Sequence, residues 1–400
     1  MNHDQPAPTH GSLFSGYGGI DLAVGEVFGA RTAWVSDIDP GPCKVLEHRF
    51  PGVPNLGDIT QIDWGDVPPV DILSGGSPCQ DLSSAGRRAG MTEGTRSNLW
   101  VLMREAIETL QPRLVVWENV RGALSARATS ELESVEGRVG DGGGGPVLRA
   151  LGRVLGDLAE IGFDAEWATV RASDVGAPHQ RARVFLVAWP VGTSPRDLLG
   201  GSGARPGESV SGEGGGLPPT LLPTPVTSYS SRSVEQWIEQ RRAGNGQRRS
   251  VVGDLGIIAG QLLPTPKAGD ADFGLPRTSG RPPERSTHLA TRLHYTDFGA
   301  YAPAIERWER VTGNPAPAPA KPSPRGGKPQ LSAEFVEWMM GLPSGWFTSP
   351  EIGLTRSQAI RIGGNGVVPQ QAEHALRGLM DRIEEGTEHD RHRVPQRHAD

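Results

Sequence analysis

Cys79 is the residue best suited to covalent chemistry in this 400-residue chain, which contains only two cysteines. It lies in the stretch GGSPCQDLSSAG, residues 75–86, just after the apolar run that ends at Leu73. The glycines and Pro78 predict a slim loop at the end of a strand, and the polar residues that follow leave the thiol unburied. Nearby arginines or a helix N-terminus would make such a thiol a nucleophile. Cys43, on a predicted helix, is interpreted as a small inert side chain.

A carboxyl group follows another apolar strand. Residues 115–120 read VVWENV, so Glu118 and Asn119 stand at the end of a run that is otherwise apolar. A buried carboxyl group has a raised pKa and can hold or donate a proton to a ring nitrogen. The alternative is a glutamate at a strand end in water.

Two arginines precede a third apolar strand. The stretch PHQRARVFLVAW, residues 178–189, opens with Gln180, Arg181 and Arg183. We expect at least one of the arginines to face the site or to fix a loop, with a phosphate or a carboxylate as its partner.

A glycine-rich turn near the start of the chain offers a ligand site. Residues 14–19 read FSGYGG between a predicted strand and a predicted helix. The backbone there can approach a ligand closely, and the helix presents free N–H groups. Asp37 ends the second predicted strand about 20 positions later, where an acidic residue can hold ribose hydroxyls. The pair favours a nucleoside-containing cofactor over a purely structural turn. Asp58, in GDIT, ends at the same edge but by itself is more typical of a helix cap.

The elements that must position these residues alternate between short β-rich runs and helical patterns, which is typical of an open, largely parallel α/β sheet. Such sheets bind ligands beyond the carboxyl ends of their strands, where Asp37 and Cys79 fall. The predicted strands are 12–14, 32–36, a short one before Asp58, 70–73, 114–117, 163–170 and 183–188, and the predicted helices are 20–28, 42–50, 97–110 and 147–161.

Glycine and proline make up nearly a quarter of the chain, with 55 and 35 residues, so several segments should be loops. Residues 128–146 are predicted to form a mobile loop, and 191–217 and 313–329 are predicted linkers. Between the two linkers LLPTP occurs twice, at 221–225 and 262–266, and is interpreted as a repeated local docking element.

Helical patterns resume at Leu331, with Ser332 as the predicted N-cap. The start of the chain lacks the pattern of a secretory leader, and no apolar run approaches the roughly 18 residues that a membrane span needs. Two cysteines do not make a disulfide framework. We therefore expect a soluble, cytoplasmic protein.

The net charge of −6 is unevenly distributed. Residues 218–330 contain 15 Lys and Arg against nine Asp and Glu, whereas residues 1–190 contain 16 against 24. The basic stretch also carries tryptophan, histidine and tyrosine, a mixture that suits phosphate and base contacts. A solvated basic surface explains this segment equally well when it is taken alone. The arginines predicted to contact nucleic acid are Arg241, Arg242, Arg248 and Arg249.

Together these stretches resemble the motifs of prokaryotic and phage DNA (cytosine-5)-methyltransferases, and they occur in that family's order. FSGYGG is similar to the first motif, GGSPCQDLSSAG to the Pro-Cys-Gln motif, WENV to the Glu-Asn-Val motif, QRAR to the Gln-x-Arg-x-Arg motif and GGNGVVP to the closing Gly-Asn-x-Val motif. The region between QRAR and EFVEWMMGLP stands where the family has its variable target-recognition domain, and it contains the basic stretch.

The resemblance implies a mechanism. Cys79 would attack carbon 6 of a flipped cytosine while Glu118 holds a proton at ring nitrogen 3, so that carbon 5 can accept the methyl group of S-adenosylmethionine. Arg181 and Arg183 would support the flipped base and the catalytic loop, and Gln80 and Ser83 would contact DNA. No metal is implied. The residues that would hold the cofactor are Phe14, Gly16, Gly18, Gly19, Asp37, Ile38, Asp58, Ile59, Pro78, Leu99, Asn365 and Val367.

The implied architecture is α/β: a Rossmann-like S-adenosylmethionine-dependent methyltransferase fold with a smaller, irregular target-recognition lobe, and duplex DNA in the cleft. The expected divisions are a disordered N-terminus (1–10), a catalytic domain (11–190), a recognition domain (191–330), a C-terminal segment that completes the catalytic domain (331–384) and a disordered tail (385–400). We expect a monomer in a bacterial or phage-infected cell, with a cognate restriction endonuclease as the suggested protein partner.

The chain departs from the family pattern at three places. Asp81-Leu82-Ser83 replaces the usual Pro-Phe-Ser, so the hinge of the catalytic loop would move differently. Ile38 offers a smaller platform for adenine than an aromatic residue does, and 128–146 looks like an insertion. None of these departures removes a reacting group.

Three different functions compete with this interpretation. A Rossmann-type oxidoreductase would use the glycine turn and Asp37 but leaves Cys79 and Glu118 unexplained. A catalytically silent DNA-binding paralogue would keep the same motifs without turnover. An RNA cytosine-5 methyltransferase would use the same site on a flipped cytosine in RNA, although the size and basic character of the insertion favour DNA.

Overall fold

Six strands form one mixed sheet in the computed structural model, which describes residues 6–77, 99–124, 150–195, 262–271, 298–321 and 330–391. The strand order is β2-β1-β3-β4-β6-β5. Neighbouring pairs among β1 to β4 are parallel, whereas β6 is antiparallel to both β4 and β5. Five strands therefore run one way, which confirms the largely parallel sheet. The strands are β1 (Thr9–Leu13), β2 (Arg31–Ser36), β3 (Ile72–Gly75), β4 (Leu114–Val120), β5 (Phe163–Arg171) and β6 (Ala182–Pro190).

Helices cover both faces of the sheet and follow the predicted order. In the described N-terminal half they are α1 (Gly19–Phe28), α2 (Pro40–Arg49), α3 (Leu99–Leu110) and α4 (Ala150–Glu160); the C-terminal half adds α5 (Ala302–Thr312), α6 (Ala333–Met339), α7 (Arg356–Asn365) and α8 (Pro369–Arg391), with a two-stranded ribbon of β7 (Ala320–Lys321) and β8 (Gln330–Leu331). Ser332 caps α6 as predicted, because its hydroxyl accepts a hydrogen bond from Phe335 N.

Several element bounds differ from the sequence-based expectations; β3, for example, covers Ile72–Gly75 instead of 70–73. The first strand begins at Thr9, inside the segment expected to be disordered, because Asp71 accepts hydrogen bonds from the Thr9 backbone and hydroxyl. The short strand expected before Asp58 is reduced to a single parallel bridge between Val35 and Asn55. Helix α8 runs to Arg391, past the expected start of the tail. The loop predicted at 128–146 lies outside the described residues, as does the first LLPTP copy.

Two hydrophobic layers hold the sheet. On one face the strands pack against α3 and α4 through large side chains such as Trp100 and Trp117, both fully buried. On the other face Ile72 and Phe185 pack against α1 and against Leu376 of α8. Burial of a C-terminal helix on a sheet formed by the first half of the chain explains how these two parts of the chain meet. The division at 331–384 stays a prediction. Among the helices of the described residues, none combines the length and apolar character that a bilayer crossing requires.

A buried polar cluster lies between β1, β3 and α1. Asp21, in the first turn of α1, accepts a hydrogen bond from Ser12 Oγ at 3.1 Å, and its carboxylate lies 3.9 Å from His10 Nδ1. His10 Nε2 lies 2.8 Å from Ser74 Oγ. Burial lowers the pKa of His10 to about 3, so this imidazole supplies no positive charge near neutral pH. Burial also raises the pKa of Asp21 to about 7.

The raised pKa of Asp21 predicts a pH-dependent stability. The unfolded carboxyl ionises near pH 4, but the folded one keeps its proton to about pH 7, so the stabilisation is complete below pH 4 and is lost as pH rises through 7. We expect the free energy of unfolding to fall, from pH 5 to pH 8, by about 3 kcal/mol more in the wild type than in Asp21→Asn. Urea denaturation of both proteins at the two pH values measures this; parallel pH profiles would contradict it.

Candidate active site

One edge of the sheet collects the polar residues. Leu13 pairs with both Ser36 and Gly75, and Gly75 pairs with Trp117, so β1, β2, β3 and β4 end side by side. Strand β6 runs in the opposite direction and therefore contributes its beginning to the same edge. The residues that follow four strands and those that precede one thus meet in space, although they are far apart in the sequence.

The glycine turn at this edge is bent by left-handed backbone. Phe14, Gly16 and Gly18 have φ of 53°, 59° and 85°, and Gly18 is the N-cap of α1. A non-glycine residue in this region is strained, which is common at ligand-binding sites. Among the residues that the structure describes, no side-chain hydrogen bond caps this end of α1.

Asp37 lies directly beside this turn. Its Oδ2 accepts a hydrogen bond from Gly16 N at 2.9 Å, and its Oδ1 accepts one from Asp39 N at 2.9 Å. Burial raises the pKa of Asp37, and these backbone N–H groups oppose that shift. Ile38, next in sequence, has 66% of its surface exposed, an apolar platform next to the carboxylate. The residues present fit a nucleoside whose ribose meets Asp37 and whose base lies on Ile38.

Asp58 caps a helix, as its sequence context predicted. Its carboxylate accepts a hydrogen bond from Thr60 N at 3.0 Å and caps the short 3-10 helix Ile59–Gln61. It still lies close to the second strand, because Ser36 Oγ donates to Gly57 O at 2.8 Å. Ile59 is buried in the core, and Leu99, at the start of α3, is partly buried against the same cluster.

Ser77, two residues before Cys79, is held by three polar contacts. Trp117 Nε1 donates to Ser77 Oγ at 3.2 Å, while Asn119 Nδ2 lies 3.3 Å from the same hydroxyl and 3.4 Å from Ser77 O. The described residues stop there: Pro78, Cys79, Gln80 and Ser83 lie outside them, as do Arg241, Arg242, Arg248 and Arg249. Asn119 of the WENV stretch therefore fixes the chain as it enters the Pro-Cys-Gln stretch.

Glu118 and Arg183 form a buried ion pair. Arg183 Nε lies 2.9 Å from Glu118 Oε1, with 15% and 10% of the two side chains exposed. Burial raises the pKa of Glu118, and the charges of Arg183 and then Arg181 oppose that shift. A Cβ at Gly76 would lie 3.0 Å from Glu118 Oε2, so a glycine there keeps space beside the carboxylate. The carboxylate partner expected for one arginine is thus Glu118.

Arg181 differs from Arg183 in what it contacts. It is 3% exposed, and its guanidinium donates to Gly364 O, Gly366 O and Pro266 O. Two positions earlier His179 is fully buried, with Nε2 3.0 Å from Met339 O. Burial lowers the pKa of His179 to about 3, so it is neutral beside the arginines. The sequence analysis did not select His179. Its position two residues before Arg181, in the same stretch, was the available signal.

The C-terminal loop meets the glycine turn. Val367 is buried, whereas Asn365, at the end of α7, is exposed. Tyr17, which sequence reasoning also passed over, is fully buried, and its hydroxyl donates to Val367 O at 2.5 Å. Its place inside FSGYGG was the available signal. Of the predicted site residues, Phe14, the glycines, Asp37, Glu118, Arg183 and Val367 therefore lie along one edge.

The fold has solved relatives. It is similar to the structure of the Entamoeba histolytica methyltransferase EhMeth, with a TM-score of 0.50 and 13% sequence identity over 95% of this chain and 99% of that one. At this identity the likeness concerns the fold, which is a Rossmann-like methyltransferase fold.

The sequence comparisons find a family model and several relatives. Residues 9–199 match the family model of C-5 cytosine-specific DNA methylases. The chain is 31% identical to the type II methyltransferase M.NlaIV of Neisseria lactamica over 179 residues, which are 44% of this chain and 39% of that protein. It is 39% identical to the DNA N-6-adenine-methyltransferase of Escherichia phage P1 over 129 residues, 29% of this chain and 17% of that protein. The chain thus matches less than half the length of these relatives.

The ion pair predicts how Arg183 contributes to stability. Arg183→Gln leaves Glu118 buried without its cation, so we expect a loss of about 3 kcal/mol in the free energy of unfolding at pH 8. The loss should be smaller at pH 5, because the pKa of Glu118 rises further and the neutral acid needs no cation. Urea denaturation at both pH values measures it. The double variant Glu118→Gln/Arg183→Gln is the control and should recover part of the loss; equal losses at pH 5 and 8 would contradict the prediction.

Proposed function

We propose that this protein is a DNA (cytosine-5)-methyltransferase that transfers a methyl group from S-adenosylmethionine to carbon 5 of a flipped cytosine in a duplex sequence. The observation that carries the proposal is the buried Glu118–Arg183 pair, at the sheet edge that also holds the glycine turn and Asp37. A carboxyl group with a raised pKa suits a ring nitrogen, and the turn with Asp37 suits a nucleoside. Cys79, two residues after Ser77, supplies the nucleophile.

Each group has one role in this reaction. The Cys79 thiolate adds to carbon 6, while Glu118 gives or holds a proton at nitrogen 3, so that the electron pair moves to carbon 5. S-adenosylmethionine would supply an electrophilic methyl group to that carbon, and its sulfur would leave as the thioether of the product, S-adenosylhomocysteine. A base then removes the proton from carbon 5, and the carbon–sulfur bond breaks to release the thiolate. Arg183 orients the Glu118 carboxyl group, and Asn119 steadies the chain before Cys79.

The cofactor would lie across the glycine turn. Phe14, Gly16, Gly18 and Gly19 would line it, with Asp37 at the ribose and Ile38, Asp58 and Ile59 near the adenine; Pro78, Leu99, Asn365 and Val367 would complete the pocket. The basic stretch, with Gln80 and Ser83, would contact the DNA. A type II system with a cognate restriction endonuclease fits the relatives' names, and a monomer fits the proposed two lobes.

Adenine N6-methylation is a second candidate, because the phage P1 relative carries that name. The exocyclic amine of adenine can attack a methyl donor directly. Carbon 5 of cytosine, in contrast, is not nucleophilic until another group has added to the ring. A cysteine in the Pro-Cys-Gln stretch paired with Glu118 therefore favours cytosine. Two other candidate functions come from the sequence analysis. One is methylation of cytosine in RNA, and the other is DNA binding without catalysis.

Expression of the protein in cells that lack cytosine methylation tests the proposal. We expect bisulfite sequencing of their DNA to show 5-methylcytosine in one sequence context, and Cys79→Ala to abolish it while leaving cofactor affinity within a few-fold of wild type. Methylation by Cys79→Ala would reject the covalent mechanism. Nucleoside mass spectrometry of DNA and tRNA, compared with cells without the protein, reads the other outcomes. Added N6-methyladenine in DNA, added 5-methylcytosine in tRNA alone, or no added modified base would each reject the proposed function and would indicate, in that order, adenine methylation, RNA methylation or a silent DNA-binding protein.

The basic stretch predicts the salt dependence of DNA binding. Replacing Arg241, Arg242, Arg248 and Arg249 by glutamine should weaken binding and reduce the slope of log affinity against log salt by up to about 4, because each lost phosphate contact releases one counterion fewer. Titration of a duplex at several salt concentrations measures the slope. The matched control is Arg377→Gln/Arg382→Gln, on α8, where both arginines lie beside glutamates. An unchanged slope in the fourfold variant would remove those arginines from the interface.

A further inference from the structure

Arg181 uses its guanidinium on main-chain oxygens. Nη1 donates to Gly364 O at 3.2 Å and lies 3.5 Å from Pro266 O, and Nη2 donates to Gly366 O. Three carbonyl oxygens thus accept hydrogen bonds from one guanidinium. Its positive charge allows these oxygens to lie close together although they are buried. Only 3% of Arg181 is exposed, so little of it remains for a base or a phosphate.

The backbone at Arg181 shows that this arrangement is enforced. Its φ is 33°, in the left-handed region that non-glycine residues rarely adopt, and its N–H donates to Thr265 Oγ1 at 3.1 Å. The strain is maintained because both the main chain and the side chain of Arg181 are held by partners. Arg183, two residues later, points its Nε at Glu118 instead. The two arginines therefore do different work.

On one side, Arg181 reaches the loop that closes on the glycine turn. A Cβ at Gly366 would overlap the Tyr17 ring, and a Cβ at Gly19 would overlap Val367 O. The Tyr17 hydroxyl donates to Val367 O at 2.5 Å. The loop of residues 364–367 and the glycine turn therefore interlock, so a shift of one displaces the other.

On the other side, Arg181 reaches the second LLPTP copy. Leu263 N donates to Pro178 O at 2.8 Å, next to a parallel bridge between His179 and Leu263. A Cβ at Gly364 would overlap the main chain of Lys267 and Ala268. The residues directly after the second copy therefore pack tightly against the end of α7. The second copy packs here, and Arg181 joins it to the 364–367 loop. The first copy lies outside the described residues, so a repeated docking element stays a prediction.

We propose that Arg181 is a positioning residue for cofactor binding: it holds the 364–367 loop against the glycine turn and fastens the 262–266 segment behind that loop. This inference rests on the proposed function, because the cofactor is S-adenosylmethionine. It assigns Arg181 to cofactor affinity and Arg183 to the chemical step, whereas the family resemblance placed both arginines at the flipped base and the catalytic loop.

The test separates affinity from turnover in two variants of the full chain. Arg181→Lys keeps the positive charge but loses the planar fork that reaches three carbonyls. We expect it to raise the dissociation constant of S-adenosylhomocysteine, measured by calorimetry without DNA, by about tenfold or more, and to change kcat at saturating cofactor and DNA by less than about threefold. Arg183→Lys is the matched control and should show the reverse pattern.

Tyr17→Phe tests the same route without touching a charge. It keeps the ring that packs on Gly366 and removes only the hydroxyl that donates to Val367 O. We expect weaker S-adenosylhomocysteine binding, and we expect Tyr17→Phe with Arg181→Lys to lose less than the product of the single effects, because both act on one loop. If Arg181→Lys does not fold, Tyr17→Phe alone decides.

Unchanged S-adenosylhomocysteine affinity in Arg181→Lys, or in Tyr17→Phe where that variant decides, overturns the proposal, as does a fall in kcat without a change in affinity. Fully multiplicative effects in the double variant also overturn it, since the two side chains would then act separately. Failure of the proposed function looks different: the wild type would then bind no S-adenosylhomocysteine, or would bind it and modify no cytosine in DNA.

Discussion

The direction of the strands is the constraint on which the site depends. Four parallel strands end at one edge, and β6, which is antiparallel, begins there. Because β6 runs in the opposite direction, the polar residues of the site follow the other strands but precede β6. It brings Arg183 opposite Val120 in the sheet register and so next to Glu118, which is 65 positions earlier in the chain. A parallel β6 would have placed its arginines at the far edge.

Closely packed glycines then lock the two ends of the chain together. The 364–367 loop meets the glycine turn at distances that leave no room for a Cβ, and Arg181 donates hydrogen bonds to the carbonyl oxygens of this loop. A second support comes from Glu337, whose buried carboxylate accepts hydrogen bonds from Gly345 N, Phe347 N and Thr348 N. The turn so formed lets Trp346 Nε1 donate to Tyr17 O at 2.9 Å. The glycine turn is therefore held from both sides.

Buried carboxyl groups are stabilised in three different ways in this fold. Glu337 is surrounded by N–H donors, Glu118 has a guanidinium, and Asp21 has one hydroxyl and a neutral imidazole. Burial raises the pKa of each carboxyl group. The N–H donors oppose the shift at Glu337, arginine charges oppose it at Glu118, and the Ser12 hydroxyl and the Asp21 N–H oppose it at Asp21. Asp21 lies in the first turn of α1, the helix that follows the glycine turn.

The sequence by itself determined the α/β alternation, most element positions and the placement of Asp37 and Glu118 at the ends of strands, because hydrophobic periodicity and turn residues are local properties. It also indicated that Asp58 caps a helix, since a cap needs only its own neighbours. Tertiary structure alone decided that Arg181 holds carbonyls while Arg183 pairs with Glu118, that His179 and Tyr17 belong to the site, and that the strand expected before Asp58 shrinks to one bridge. These outcomes depend on which distant groups each side chain meets, and that is set by strand order and packing.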